Sequence, residues 1–143
     1  MLLKRYTLPL ILTAISVVPA TARAEGCIQS SLNGAYGFVS SVRIVPPGPQ
    51  DRTTRQNVVA VVVYDGAGIV RLAGSVVGVT GVHDILLYGT YQLNEQCLGR
   101  VVLLNAKEQK SDTWRFAMVS GGVRLLTVSD SSPNMKPFVQ ERR

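Results

Sequence analysis

The sequence predicts an all-β protein of seven or eight short antiparallel strands, arranged as a single small β-barrel or, alternatively, as a β-sandwich. Short runs rich in Val, Ile, Leu and aromatic residues recur along the chain, with turn residues between them. Several runs alternate inward and outward residues with the period of two that is typical of strands. No stretch shows a helical period at the length a helix needs, and no internal repeat is found.

Residues 1–24 are expected to form a secretory signal peptide, so the barrel domain is expected to comprise residues 25–143. A basic pair precedes an apolar core at residues 8–18, and Ala22-Arg23-Ala24 provides a small-x-small cleavage site. The core is shorter than the roughly 20 residues of a membrane-spanning helix. We therefore expect an exported protein, periplasmic or secreted, with no transmembrane segment after cleavage.

The charged residues do not indicate a nucleic-acid partner. The chain has 15 Lys and Arg against 9 Asp and Glu, and the signal peptide accounts for three of the basic residues. No run of basic residues is interleaved with aromatic residues, which is the usual pattern of nucleic-acid binding.

Two cysteines, Cys27 and Cys97, are expected to form one disulfide bond. Exported chains meet oxidising conditions, and the cysteine count is even. Neither cysteine lies in a C-x-x-C motif or in basic surroundings, so a structural bond is favoured over a reactive thiol pair.

The elements follow in order from this pattern. The run from residue 34 to residue 45 alternates, and if Arg43 faces water the inward side chains are Tyr36, Phe38, Ser40, Val42 and Ile44. Residues 46–57 are rich in Pro and charge and predict a loop. Later strands are predicted over residues 58–64, 69–77, about 82–93, 97–105, 113–120 and 123–129.

Glycine-containing or polar segments separate these strands, and Asp65-Gly66 provides the backbone of a tight hairpin. Other turns are predicted at residues 78–81, 94–96, 107–112 and 121–122. Pro133 and Pro137 interrupt the tail, which either ends irregularly or adds a short closing strand over residues 138–140.

Four arginines, one in each of four strands, indicate which face of the sheet is buried. An unpaired guanidinium is costly in the core of a small domain, so Arg71, Arg100, Arg115 and Arg124 are predicted to face outward. Alternation then turns the following residues inward: Val70, Leu72, Gly74, Val76, Val101, Leu103, Trp114, Phe116, Met118, Val123, Leu125 and Thr127.

The outer face predicted in this way is less polar than expected. It carries Ile69, Ala73, Val102, Leu104, Leu126 and Val128 beside the arginines. Either a partner subunit or the loop at 46–57 covers part of it, or these are ordinary surface residues among arginines that prevent edge pairing.

Three motifs resemble those of a known group of proteins. They are SLNGAYGF at residues 31–38, YDGAG at 64–68 and GTYQLNEQCLG at 89–99. In this order they resemble small secreted bacterial proteins of the calycin or allene-oxide-cyclase-like barrel type. The resemblance implies an up-and-down barrel with an apolar interior. Cyclase and lipocalin relatives hold small apolar molecules, but no motif here matches their catalytic or ligand residues.

Catalytic and metal-binding residues are not predicted. His83 is the only histidine and precedes Asp84, but neighbours in a strand face opposite ways, so His83 is interpreted as a rim residue. There is no nucleophile motif, no ligand spacing for a metal and no phosphate-binding loop, so no cofactor is expected.

The barrel interior is the remaining candidate site. A filled core is slightly favoured over a hollow one, because eight strands enclose a lumen that side chains can just fill. If the interior is hollow, the expected ligand-binding residues are Tyr36, Phe38, Ser40, Trp114, Phe116, Met118 and Thr127.

The function predicted from the sequence is that of an exported, non-enzymatic barrel that binds a small apolar ligand or a partner surface, with a homo-oligomer as one form of partner. One alternative is a cofactor-independent cyclase-like enzyme that uses Tyr36, Tyr88 or Tyr91 as a hydrogen-bond donor. The other is a structural envelope or secreted protein that assembles through its outer apolar residues.

Overall fold

Eight antiparallel strands form one closed barrel in the computed structural model, which describes residues 26–44, 54–131 and 134–143. The strands are β1 (Asn33–Ile44), β2 (Thr54–Asp65), β3 (Ile69–Gly78), β4 (Gly81–Leu93), β5 (Leu98–Leu104), β6 (Lys110–Val119), β7 (Arg124–Ser129) and β8 (Phe138–Arg142). Two short 3-10 turns are present, at Gln29–Ser31 and Ser120–Gly122. The expected signal peptide and most of the expected loop at 46–57 lie outside the described residues.

Each strand pairs with the next along the chain, and β8 pairs with β1 to close the barrel. This confirms the predicted up-and-down barrel and its closing strand. The β1–β2 ladder runs the full length of both strands, from Asn33 opposite Asp65 to Ile44 opposite Thr54. The β1–β8 ladder is much shorter, because only Tyr36 and Gly37 pair there, with residues 142 and 141.

Two strands begin well before their predicted starts. Residues 54–57, predicted in a loop, begin β2 and pair with the end of β1. β6 begins at Lys110 instead of residue 113, and a register shift lies opposite Leu103 and Leu104. In both places polar residues were interpreted as loop, although a strand end at the rim of a barrel keeps its ladder hydrogen bonds while its side chains reach water.

The predicted facing of the strands is confirmed at the four arginines, which are all exposed. The residues predicted to face inward in β3, β5 and β6 are buried or half-buried, as are residues 36, 38, 40 and 42 of β1. The side chain of Ile44 lies outside the description. The prediction that Val123 faces inward is wrong, because this residue is 49% exposed. Gly121 and Gly122, with φ of 64° and 86°, form a turn before β7, so alternation does not reach Val123.

The segment before β1 covers one end of the barrel. The predicted disulfide joins Cys27 to Cys97, with 5.0 Å between the Cα atoms. The Cys27 backbone N–H also donates to the Glu95 carbonyl over 3.2 Å. Leu32, at the end of this segment, is fully buried. The first described residues are therefore fixed to the β4–β5 turn.

A side-chain amide continues the sheet at this covered end. The Gln29 Nε2 atom donates to the Tyr91 carbonyl over 2.7 Å, and the Leu93 N–H donates to Gln29 Oε1 over 3.0 Å. The Gln29 carboxamide thus pairs with one backbone carbonyl and one backbone N–H of β4, which lie beyond the end of β3 and would otherwise lack a partner in the sheet.

No helix within the ranges that the structure describes is long and apolar enough to cross a membrane.

Candidate functional site

The residues predicted to bind an interior ligand all lie on the inner side of the wall, where they pack against one another. Six of the seven are buried, and Met118 is half-buried against the same core: Tyr36, Phe38, Ser40, Trp114, Phe116, Met118 and Thr127. Their role as ligand contacts stays a prediction.

Aromatic rings occupy much of the interior. Phe38 stacks on Phe138 with ring centroids 4.5 Å apart, and Trp114 lies edge-on to Phe138 at 5.2 Å. Further along the barrel, Tyr64 contacts Tyr36 at 5.5 Å and Tyr91 at 5.1 Å. These separations are those of rings in contact. Tyr64, Tyr91 and Phe138 complete the cluster, but none of them was on the predicted list of interior ligand contacts.

The buried polar side-chain atoms bind to one another or to the backbone, except Thr113 Oγ1, which has no hydrogen-bond partner among the described residues. Tyr36 Oη donates to the Gly122 carbonyl over 2.5 Å, and Tyr91 Oη donates to the Leu32 carbonyl over 2.8 Å. Ser40 Oγ donates to the Lys136 carbonyl over 3.2 Å.

The most deeply buried polar group is Gln140, which is fully inaccessible. Tyr64 Oη donates to Gln140 Oε1 over 3.1 Å, and Gln140 Nε2 donates to Thr127 Oγ1 over 3.0 Å. The sequence did not single out Gln140, although its position two residues after Phe138 places both on the same face of β8.

Burial keeps these tyrosines protonated. It raises the pKa of Tyr36, of Tyr64 and of Tyr91, with the largest effect at the fully enclosed Tyr64. Nearby charges modify this effect: Arg142 lowers the pKa of Tyr36, and Asp65 adds to the rise at Tyr91. The hydroxyls therefore act as neutral donors inside the wall.

Of the three tyrosines of the enzyme alternative, Tyr36 and Tyr91 both lie in the interior ring cluster, whereas Tyr88 lies apart. Tyr88 is 44% exposed on the outer side of β4, away from Tyr36 and Tyr91. His83 is exposed, and its Nε2 atom lies 3.4 Å from Thr80 Oγ1. Asp84 instead accepts a hydrogen bond from Ser75 Oγ over 2.8 Å. Across the described ranges, no three His, Cys, Asp or Glu residues are grouped to hold a metal ion.

The carboxylate of Asp112, at the end of the barrel opposite the covered end, binds the Trp114 side chain. Asp112 Oδ2 accepts from Trp114 Nε1 over 2.7 Å, and Asp112 Oδ1 accepts from Ser129 Oγ over 2.8 Å. Asp112 was predicted from the sequence to lie in a turn, and its contact with Trp114 was not predicted. Its spacing of two from Trp114 is the signal that puts both on one face of a strand.

An open groove of about 900 Å³ lies on the outer wall, across β4 to β7. Strand register arranges its outward residues in two adjacent rows. One row, the polar row, contains Gln92, Arg100, Arg115 and Val128; the other, the apolar row, contains Leu98, Ala117 and Leu126.

The two arginines of the polar row lie directly opposite each other on β5 and β6. Arg115 Nε donates to Asp130 Oδ2 over 2.8 Å, which raises the pKa of Arg115. Within the part of the chain that the structure describes, Arg100 takes part in no ion pair.

A second outer surface, the valine face, covers β1 to β4. It consists of Val39, Val59, Val61, Val63, Ala73, Leu86 and Tyr88, with Arg71 between Val63 and Tyr88. Val39 is 66% exposed and Leu86 is 53% exposed. Apolar residues that are adjacent across four strands form a continuous patch, which is a feature of interaction surfaces.

Neither a family model, nor a curated protein, nor a solved structure matches this chain. The contacts and surfaces described above are therefore the basis of the functional proposal.

Proposed function

We propose that this chain is an exported, non-enzymatic β-barrel protein that binds a partner through its outer wall. The observation that carries the proposal is the contrast between the two sides of that wall. Inside, rings and hydrogen-bonded polar groups occupy the space, whereas the valine face exposes a continuous apolar patch. A rigid scaffold that presents an outer surface fits this contrast better than a container does.

Export is part of the proposal and has two supports. The first is the signal-peptide pattern over residues 1–24. The second is the Cys27–Cys97 disulfide, a bond that is typical of oxidising compartments. The resemblance to secreted calycin-type and allene-oxide-cyclase-like barrels agrees with export, and we propose the periplasm or the exterior as the destination.

The interior supports the alternatives less well. An apolar ligand there would have to displace stacked rings such as Phe38 and Phe138, whose contacts contribute to stability. A cyclase would need a free hydroxyl donor, but Tyr36 and Tyr91 already donate to backbone carbonyls and Tyr88 lies on the outside.

We propose a second copy of the same chain as the partner. Arg71 and Ser75 lie two residues on either side of Ala73, and Ser75 is hydrogen-bonded to Asp84. If two valine faces pack about a two-fold axis that crosses the strands at Ala73, Arg71 of one copy lies over the Ser75–Asp84 pair of the other. In the described residues Arg71 has no ion pair within its own chain, so this packing would give its charge a partner.

The test is the oligomeric state of the mature protein, measured by sedimentation over a range of concentrations. We expect a dimer in the wild type and a monomer for Leu86→Lys, because a charge within the apolar patch would be desolvated on association. Leu126→Lys is the matched control, since Leu126 is 49% exposed on another part of the wall. This control should dimerise like the wild type.

A charge exchange tests the packing itself. Arg71→Asp should weaken the dimer, and the double variant with Asp84→Arg should restore it. A wild type that stays monomeric at every concentration, or a dimer that Leu86→Lys leaves intact, would rule out this mode of assembly.

A further inference from the structure

We propose that the groove on the outer wall of β4 to β7 binds an amphiphilic anion, a carboxylate or phosphate head group on an aliphatic chain. The groove is separate from the valine face on β1 to β4, so this site does not depend on the proposed dimer. The arginines of the polar row match the charged head group of such a molecule, and the apolar row matches its aliphatic chain.

The head group is assigned to the arginine pair. Arg100 and Arg115 are direct cross-strand neighbours on the outer side, where like charges destabilise a sheet. Among the described residues, Asp130 is the one carboxylate that forms an ion pair with them, through Arg115 Nε. Two guanidiniums therefore share one counter-charge, and a bound anion would supply the second. Arginine suits this role because its planar donors bind both oxygens of a carboxylate or phosphate.

The aliphatic chain is assigned to the apolar row. Leu98 pairs with Ala117 and Ala117 pairs with Leu126, so the three residues lie side by side on β5, β6 and β7. Neighbouring strands are about 5 Å apart, which makes this row about 10 Å long between the two leucines. Leu98 is 54% exposed and Leu126 is 49% exposed, while the short side chain of Ala117 leaves a depression between them.

The spacing of the rows allows one molecule to use both. Arg100 is two residues from Leu98 on β5, and Arg115 is two residues from Ala117 on β6. Two residues of a strand span about 7 Å, so an anion at the arginines places the start of its chain over the apolar row.

The floor of the groove is thin at Gly99. A side chain there would collide with the ring of Phe116, which packs under Gly99 from inside the barrel. Phe116 borders the groove, and its ring, which is only 3% exposed, supports the backbone at Gly99 from the core side.

The experiment is a calorimetric titration of the wild-type protein with decanoate, at concentrations below those at which decanoate aggregates. We expect saturable binding that weakens about tenfold in Arg100→Gln, since the charged hydrogen bonds to the head group are lost. Arg55→Gln is the matched control, because Arg55 is an exposed strand arginine outside both the groove and the valine face, and it should bind like the wild type. Leu126→Ser should weaken binding through the tail alone.

Two further probes separate the head from the tail. Inorganic phosphate carries the charge without the chain, and decyltrimethylammonium carries the same chain with the opposite charge; both should bind at least tenfold more weakly than decanoate. The proposal is overturned if either probe binds as tightly as decanoate. It is also overturned if Arg100→Gln binds decanoate like the wild type, or if amide shift changes on titration fall outside β4 to β7.

Discussion

Replacement of Gln140 by leucine provides the sharpest test of the packed interior. The side chains are similar in size, but leucine removes both of the hydrogen bonds that Gln140 makes with Tyr64 and Thr127. Two buried hydroxyls then lose their partner. Each unsatisfied buried group costs about 1–3 kcal/mol, so we expect Gln140→Leu to lower the free energy of unfolding by about 3 kcal/mol.

The decisive measurement is the effect of Tyr64→Phe in two backgrounds. In the wild type it should cost about 1–2 kcal/mol, because Gln140 Oε1 is left without a donor. In the Gln140→Leu background the same change removes a hydroxyl that already lacks a partner, so it should be neutral or stabilising. The two substitutions are therefore expected to be strongly non-additive.

Urea unfolding with the disulfide intact measures both effects, and the fluorescence of Trp114, the single tryptophan, reports the transition. Asn105→Ala serves as the control, because Asn105 Oδ1 accepts from Lys107 and Gln109 in the β5–β6 turn and shares no partner with Gln140. Its effect should add to that of Gln140→Leu. An equal cost of Tyr64→Phe in both backgrounds would refute the buried network.

Three other predictions concern the termini, the turns and the titrating groups. Replacement of Cys27 and Cys97 by alanine should lower the free energy of unfolding by about 4 kcal/mol in the chain-entropy model, because the bond closes a loop with a sequence separation of 70; an unchanged urea midpoint would contradict this. The three buried tyrosines have raised pKa values, so their contribution to stability should be fully present below about pH 10 and be lost as the pH rises further. Absorbance at alkaline pH should show that they ionise only as the barrel unfolds. The backbone N–H groups of the β2–β3 turn lower the pKa of Asp65, so its contribution is present near neutral pH and lost as the pH falls through the acidic range. Asp65→Ala should therefore be less stable than the wild type at pH 6, and the difference should shrink as the pH falls below the ordinary pKa of an aspartate; a difference that does not depend on pH would contradict this origin.

The barrel was predictable from the sequence because its main signals are local. Alternation within a strand and the cost of burying a guanidinium fix the facing of β3, β5 and β6 from single residues such as Arg71 and Arg115. Val123 shows the limit of that reasoning, because it directly follows the 3-10 turn at Ser120–Gly122 and lies before β7, whose alternation begins at Arg124. Polar strand ends at 54–57 show a second limit, since composition does not distinguish them from a loop.

The candidate surfaces were less predictable, because they depend on register between strands. From the sequence, Arg100 and Arg115 are each interpreted as an isolated outward residue. Only the β5–β6 pairing in the structure shows that they lie side by side. The same is true of Tyr64 and Gln140, which are 76 residues apart in sequence and meet across the interior. No local pattern carries such a contact, although the aromatic character of the inner set was correctly anticipated for Trp114 and Phe116.

The short β1–β8 ladder has a consequence for the order in which the chain folds. β1 completes its hydrogen bonding with the last residues of the chain, in β8 and at residues 134–136, so ring closure joins Tyr36 to Arg142 across nearly the whole domain. Contacts of such long sequence separation lose much chain entropy before they gain energy, and they form late and slowly. We therefore expect the pairing of β8 with β1 to form last, after the neighbouring strands of the meander have paired with one another.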